Sequence, residues 1–152
     1  MIALSTGLVR SIMTEYGFQS MMDRGVIELY PGSRPGSAND ATPVPPIARI
    51  TQDGGLFTPG SSPQFGLQLQ ESTELGTIAS RGNWVCKGIN YGTPTWFRWY
   101  WAQGDPRTNS VFYPRIDGTV GQDLVLQDQT VTSGSEFTLD AVYISLPQIN
   151  IA

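Results

Sequence analysis

Few side chains in this sequence could carry out chemistry. Histidine is absent, which removes the commonest general base near neutral pH and every nucleophile activated by an imidazole. Histidine-based zinc sites go with it, and the single cysteine, Cys86, cannot replace them. Cys86 follows Trp84 and Val85 in a strand-like run, so a buried, inert thiol is expected. The 13 acidic residues could supply a carboxylate pair for glycoside hydrolysis, but most stand in polar turns. Glu71 and Glu74 flank a turn-like Ser-Thr, and alternation sets Glu28 opposite Ile27 and Leu29, facing outward. Asp117, Asp123 and Asp128 carry oxygens that could hold Ca²⁺, yet their spacing is not that of an EF-hand, and turn and cap roles suit them better. No Walker loop or dinucleotide-binding glycine motif is present. The expectation is a protein that is not an enzyme, with no catalytic residue, cofactor or metal.

The densest side-chain surface is the run Trp96-Phe97-Arg98-Trp99-Tyr100-Trp101. On a strand, Trp96, Arg98 and Tyr100 face one way, and Phe97, Trp99 and Trp101 the other. Core packing is the first reading of so many aromatics. A protein-contact surface is the second, because Trp, Tyr and Arg dominate binding hot spots. A platform for stacking on a sugar ring is the third. Trp96, Arg98, Trp99, Tyr100 and Trp101 are therefore candidate interface residues.

These residues need a scaffold, and the pattern around them is mostly β. One helix is readable near the start, where Leu8, Val9, Ile12, Met13 and Tyr16 form a helical stripe. Ser5 is its expected N-cap, Leu4 and Val9 could form a hydrophobic staple, and Gly17 suits its stop. Residues 1–24 are thus an N-terminal helical segment. Strands are expected at 26–30, 47–51, 65–69, 76–80, 83–89, 95–103, 110–117 and 123–127, with Pro114 marking an edge or interruption. In 136–146, Phe137 and Leu139 share one phase while Val142, Ile144 and Leu146 share the other, which predicts a bulge or break near Asp140–Ala141. Residues 31–46, PGSRPGSANDATPVPP, form an extended Pro-rich surface loop, and 52–64 a second loop. Arg34, Pro35, Pro45 and Pro46 of the first loop join the candidate interface, as part of an arm reaching a neighbouring subunit. Many short strands between turn signals indicate an all-β fold, a β-sandwich or barrel with a short N-terminal α-helix. With 152 residues it is expected to be a single domain, 1–152.

Composition narrows the partners. The chain is 39% hydrophobic and 14% charged, with a formal net charge of −4. Lys87 is its only lysine and the arginines are scattered, so no clustered cations exist to displace counterions from nucleic acid or to hold an anionic membrane. One cysteine excludes an intrachain disulfide. Met1 to Arg10 lacks the apolar core of a signal peptide, and no apolar run is long enough to span a bilayer. A soluble protein made in the cytoplasm is the expectation.

Five stretches together resemble a family of small β-sandwich virion proteins of tailed bacteriophages, some described as capsid cement or decoration proteins. They are LSTGLVRSI at 4–12, GVIELYPGSRP at 25–35, GTIASRGNW at 76–84, GTPTWFRWY at 92–100 and DGTVGQDLVLQDQTVTSGSEFTLDAVYISLP at 117–147. The resemblance is weakest from about 36 to 75, and the long loops and the tryptophans at 99 and 101 depart from it. With it, the expected fold is a jelly-roll-like β-sandwich with a short N-terminal α-helix. It implies a protein on the outer capsid surface of a virion that contacts the major capsid protein and self-associates as a homodimer or homotrimer. The alternatives are a carbohydrate- or host-receptor-binding module on a tail or fibre, or a head–tail connector component.

Overall fold

The computed structural model describes residues 1–14, 16–74 and 76–145. After strand β1 (Ala3–Leu4), helix α1 (Thr6–Thr14) starts where expected. Ser5 caps it, its Oγ accepting the Leu8 N–H at 3.2 Å. The stripe, however, is split: Leu8 and Ile12 turn to the core, while Val9, Met13 and Tyr16 lie outside. Gly17 does not close α1 in a left-handed conformation. Its φ is −75°, and it caps a second short helix, α2 (Phe18–Met22), that was not foreseen.

Among the described residues ten short strands build the all-β, sandwich-like fold expected from the turn spacing. They are β2 (Val26–Tyr30), β3 (Ala48–Gln52), β4 (Gln68–Glu71), β5 (Thr77–Arg81), β6 (Trp84–Gly88), β7 (Trp96–Tyr100), β8 (Arg115–Thr119), β9 (Glu136–Thr138) and β10 (Tyr143–Ser145), besides β1. A seven-stranded antiparallel sheet runs β1-β8-β7-β2-β3-β6-β9, and a three-stranded one runs β10-β5-β4. The phase change in 136–146 is real: β9 pairs with β6 in the large sheet, and β10 with β5 in the small one. Leu146 lies outside the described residues. The strand expected at 123–127 is absent, although Leu124 and Leu126 are buried and Val125 is exposed. Likewise Phe65 leaves the pattern of Leu67 and Leu69, half-exposed at φ +56°.

Register settles the two faces of the large sheet. Ile27 opposes Trp99, Leu29 opposes Phe97, and Ile116 opposes Trp99 from the other side. With Ile50, Cys86 and Trp84 they make the apolar face, covered by Leu69 and Ile144 of the small sheet and by Leu8, Phe18 and Met22 of the helices. A cavity of about 400 Å³ remains at this sandwich interface, walled mainly by Ile27, Phe97, Trp99, Ile116, Leu124 and Ile144. The opposite face carries Glu28, Arg98 and Asp117 in one row across β2, β7 and β8, with Tyr30, Tyr100 and Arg115 beside them. It too is buried, under the loops 31–46 and 101–114.

Candidate functional site

Ion pairs and paired hydroxyls fill the loop-covered face. Burying a charge is costly unless it is paired and hydrogen-bonded, and each charge here is. Arg98 Nε and Nη2 donate to the two oxygens of Asp117 at 2.6 and 2.8 Å. Its Nη1 donates to the Asp40 carbonyl at 2.6 Å. Burial alone would lower the Arg98 pKa, but the Asp117 hydrogen bonds and charge outweigh it and raise the pKa. Arg115 grips Asp105 in the same forked way, at 2.7 Å for both contacts, and donates to the carbonyls of Thr108, Ala38, Asn39 and Asp40.

Glu28 is the third anchor. The expectation that it faces solvent is wrong: it is 0% exposed. Its phase-mates Val26 and Tyr30 are buried under the same loops, so the whole outer face of β2 is internal. Arg49 Nε donates to Glu28 Oε2 at 2.8 Å, and Arg107 donates to Oε1 from Nε at 2.7 Å and from Nη2. Tyr30 and Tyr100 share a hydrogen bond of 2.7 Å between their hydroxyls, and Tyr30 Oη also reaches Glu28 Oε1 at 3.5 Å. The guanidinium of Arg107 lies 4.9 Å above the Tyr100 ring.

The candidate interface residues therefore need correction. Trp96, Arg98, Trp99 and Tyr100 are all buried within the chain, so the core-packing reading holds for them and no partner can touch them. Trp96 stacks on Tyr30 with centroids 4.4 Å apart, and Trp99 meets Phe18 and Trp84 edge to face. The indole N–H groups of Trp96 and Trp99 are buried without a partner. Trp101 alone is partly open, fixed by an Nε1 hydrogen bond to the Gly104 carbonyl at 2.6 Å. Nor is the loop 31–46 a free arm. Ala38 at its centre is buried, and carbonyls from Ser37 to Asp40 receive Arg98 and Arg115, because those guanidiniums need acceptors beyond one carboxylate each. Arg34 folds back to the Met1 carbonyl at 2.6 Å. Pro35 and Pro46 are half-buried, and Pro45 is exposed.

The other chemistry-bearing residues are scattered. Cys86 is buried, and burial pushes its thiol up to about 12, so it is inert as a nucleophile at neutral pH. Asp117 is taken by Arg98, while Asp123 accepts the Thr119 N–H and the N-terminal amine. Asp128 is exposed, and no cluster of three or more metal-ligating side chains exists among the described residues. Glu71 and Glu74 are both exposed. No helix among the described residues is long and apolar enough to cross a membrane.

Sequence reasoning missed Arg49, Asp105, Arg107 and the inward turn of Glu28. A signal existed: Glu28 and Arg98 each sit between two large apolar residues of the same phase, which marks a buried charge in need of a partner. One pocket opens to solvent on this face, about 200 Å³ in volume, where Arg49 and Arg107 meet Phe57, Pro59 and Trp101 above Tyr100. The oxygens of these carboxylates are already taken by arginines, so the arrangement suits rigid positioning and recognition. Comparison with protein-family models, curated proteins and solved structures finds no match to this chain.

Proposed function

We propose that the chain is a structural protein of a tailed-phage particle, a capsid cement or decoration protein that binds the outside of the assembled shell and stabilises it without catalysis. It contacts the major capsid protein and self-associates as a dimer or trimer. Two things support the reading. Four of the five resembling stretches contribute β1, β2, β7 and β8, which lie side by side in the large sheet.

The observation that carries the contact role is the outer stripe of α1, continued by Tyr16 just beyond it. Val9, Met13 and Tyr16 recur at helical spacing yet stay exposed, Met13 to 78%. A helix with more apolar surface than its own core uses has a further surface to meet. A protein that binds only the assembled shell stabilises it by mass action, and many copies on one lattice act together.

The test strips the protein from purified particles and measures their thermal disruption. Bare shells should break at lower temperature, and adding the protein back should restore them. Met13→Asp should fold normally and fail to load. Bare shells as robust as decorated ones would remove the cementing role.

A further inference from the structure

The pocket above Tyr100 gathers several charged side chains. Arg49, Arg107 and Asp105 line it, and behind them the buried Glu28 and Arg115 complete a group of three guanidiniums and two carboxylates. One positive charge is left over locally, in a chain whose formal net charge is −4. Both oxygens of Asp105 are occupied by Arg115, and both oxygens of Glu28 by Arg49 and Arg107. The acids are therefore spent inside the protein.

Arg49 is not. The side chains of Arg49 and Arg107 are 42% and 40% exposed, so their heads are within reach of a solute. Arg49 donates from Nε alone, and among the described residues its two Nη groups have no hydrogen-bond partner. That leaves the end-on fork of a guanidinium, whose two parallel N–H groups match a carboxylate. Glu28 holds Arg49 in place, so the fork is ordered before a ligand arrives.

The remaining walls are flat and apolar. Phe57 and Pro59 come from the loop after β3, and Trp101 from the end of β7. The two loops are tied together, the Gly60 N–H donating to the Ala102 carbonyl at 2.8 Å. Trp101 is held by its bond to the Gly104 carbonyl and by edge contact with Tyr113. The volume of about 200 Å³ equals that of about seven liquid waters, the space of one six-membered sugar ring. Aromatic faces stack on the C–H side of such a ring, while its polar edge stays free for hydrogen bonds.

We propose that this pocket binds an acidic monosaccharide unit, a uronic or sialic acid, with its carboxylate on the Arg49 fork beside Arg107 and its ring against Trp101 and Phe57. The site does not rest on the shell role, since shell loading and sugar binding are measured separately. The full chain, labelled with ¹⁵N, is titrated with glucuronate and with N-acetylneuraminate while the Trp101 indole N–H signal is followed, assigned through Trp101→Phe. At least one acid should shift that signal saturably, with at least tenfold weaker binding of glucose and of acetate. Arg49→Gln should weaken binding at least tenfold. Phe57→Ala, which leaves every ion pair in place, should weaken it as well. The site is wrong if neither acid gives saturable binding at tens of millimolar. Glucose binding as tightly as the acids refutes the carboxylate fork, and acetate doing so refutes the ring platform. Binding untouched by both substitutions places the ligand elsewhere and overturns the assignment.

Discussion

Arg98 and Asp117 stand directly opposite each other on β7 and β8 and join through two hydrogen bonds of 2.6 and 2.8 Å, both side chains shut away from water. The pair locks two neighbouring strands and, through Arg98 Nη1, the loop above them. Removing one partner strands a buried charge. Asp117→Ala should cost about 3–5 kcal/mol of unfolding free energy, read from urea transitions. The double substitution Arg98→Met with Asp117→Leu should recover much of that, because an apolar pair of similar volume avoids the desolvation cost. Recovery will be incomplete, since the carbonyls of Ser37 and Asp40 lose a donor. A loss below about 1 kcal/mol for Asp117→Ala would contradict the role of the pair.

Alkaline pH should loosen the fold. Burial, with Glu28 adding, pushes the Tyr100 hydroxyl from 10.0 up to about 12, and burial pushes Cys86 from 9.0 to about 12. Tyr30 moves the same way, from burial first and then from Glu28 and Tyr100. In each case the unfolded chain releases its proton at a pH where the folded chain still holds it. Above about pH 9 the unfolded state therefore binds fewer protons, and stability falls as pH rises. The contribution is whole below that pH and is lost progressively toward pH 12. For Tyr100 alone the rise corresponds to about 2–3 kcal/mol. Guanidinium midpoints measured between about pH 8 and 11 check the slope. Replacing Tyr30 and Tyr100 together by Phe should make the slope shallower, leaving the part due to Cys86.

Arg115 should act as a main fastener of both outer loops, since one guanidinium joins Asp105 and Thr108 to the carbonyls of residues 38–40, beside the direct Ser110–Asn39 and Ala41–Asn109 hydrogen bonds. In Arg115→Met, amide exchange should accelerate across 31–46 and 101–114 while β4 and β5 keep their protection. Arg115→Lys should rescue little, because an ammonium lacks the fork. Uniform loss of protection across the chain would show that Arg115 supports the global fold instead.

Gly25 leaves no room for a side chain. A Cβ there would collide with the Tyr100 carbonyl oxygen and come within 3.0 Å of Trp99 Nε1. Gly25→Ala should destabilise by about 1–3 kcal/mol. Gly36→Ala meets nothing within 4 Å and should stay within about 0.5 kcal/mol of the parent. Thermal melts distinguish the two.

Much of the scaffold could be read from residue order because strand signals are local. Val26–Tyr30 is β-branched and aromatic and forms β2 with the expected bounds. The shift of phase between Phe137–Leu139 and Val142–Ile144 marked the passage from one sheet to the other. The helix was readable too, with its Ser5 cap, but not its rotation. Five apolar positions cannot reveal which of them the core will accept, and only Leu8 and Ile12 face it. The site was hidden for a different reason. Glu28 meets Arg107 across 79 positions of sequence and Arg49 across 21. Pairing over such distances depends on how two irregular loops close over the sheet, and no local pattern encodes that. The pocket with Arg49, Phe57 and Trp101 draws on three separate segments for the same reason.

The large sheet ends on β1, two residues long, and on β9, three residues long. Stubs of this length offer a passing chain only one or two rungs of backbone pairing, too few to nucleate end-to-end sheet growth. Growth of a stacked ribbon from these two edges is thus disfavoured.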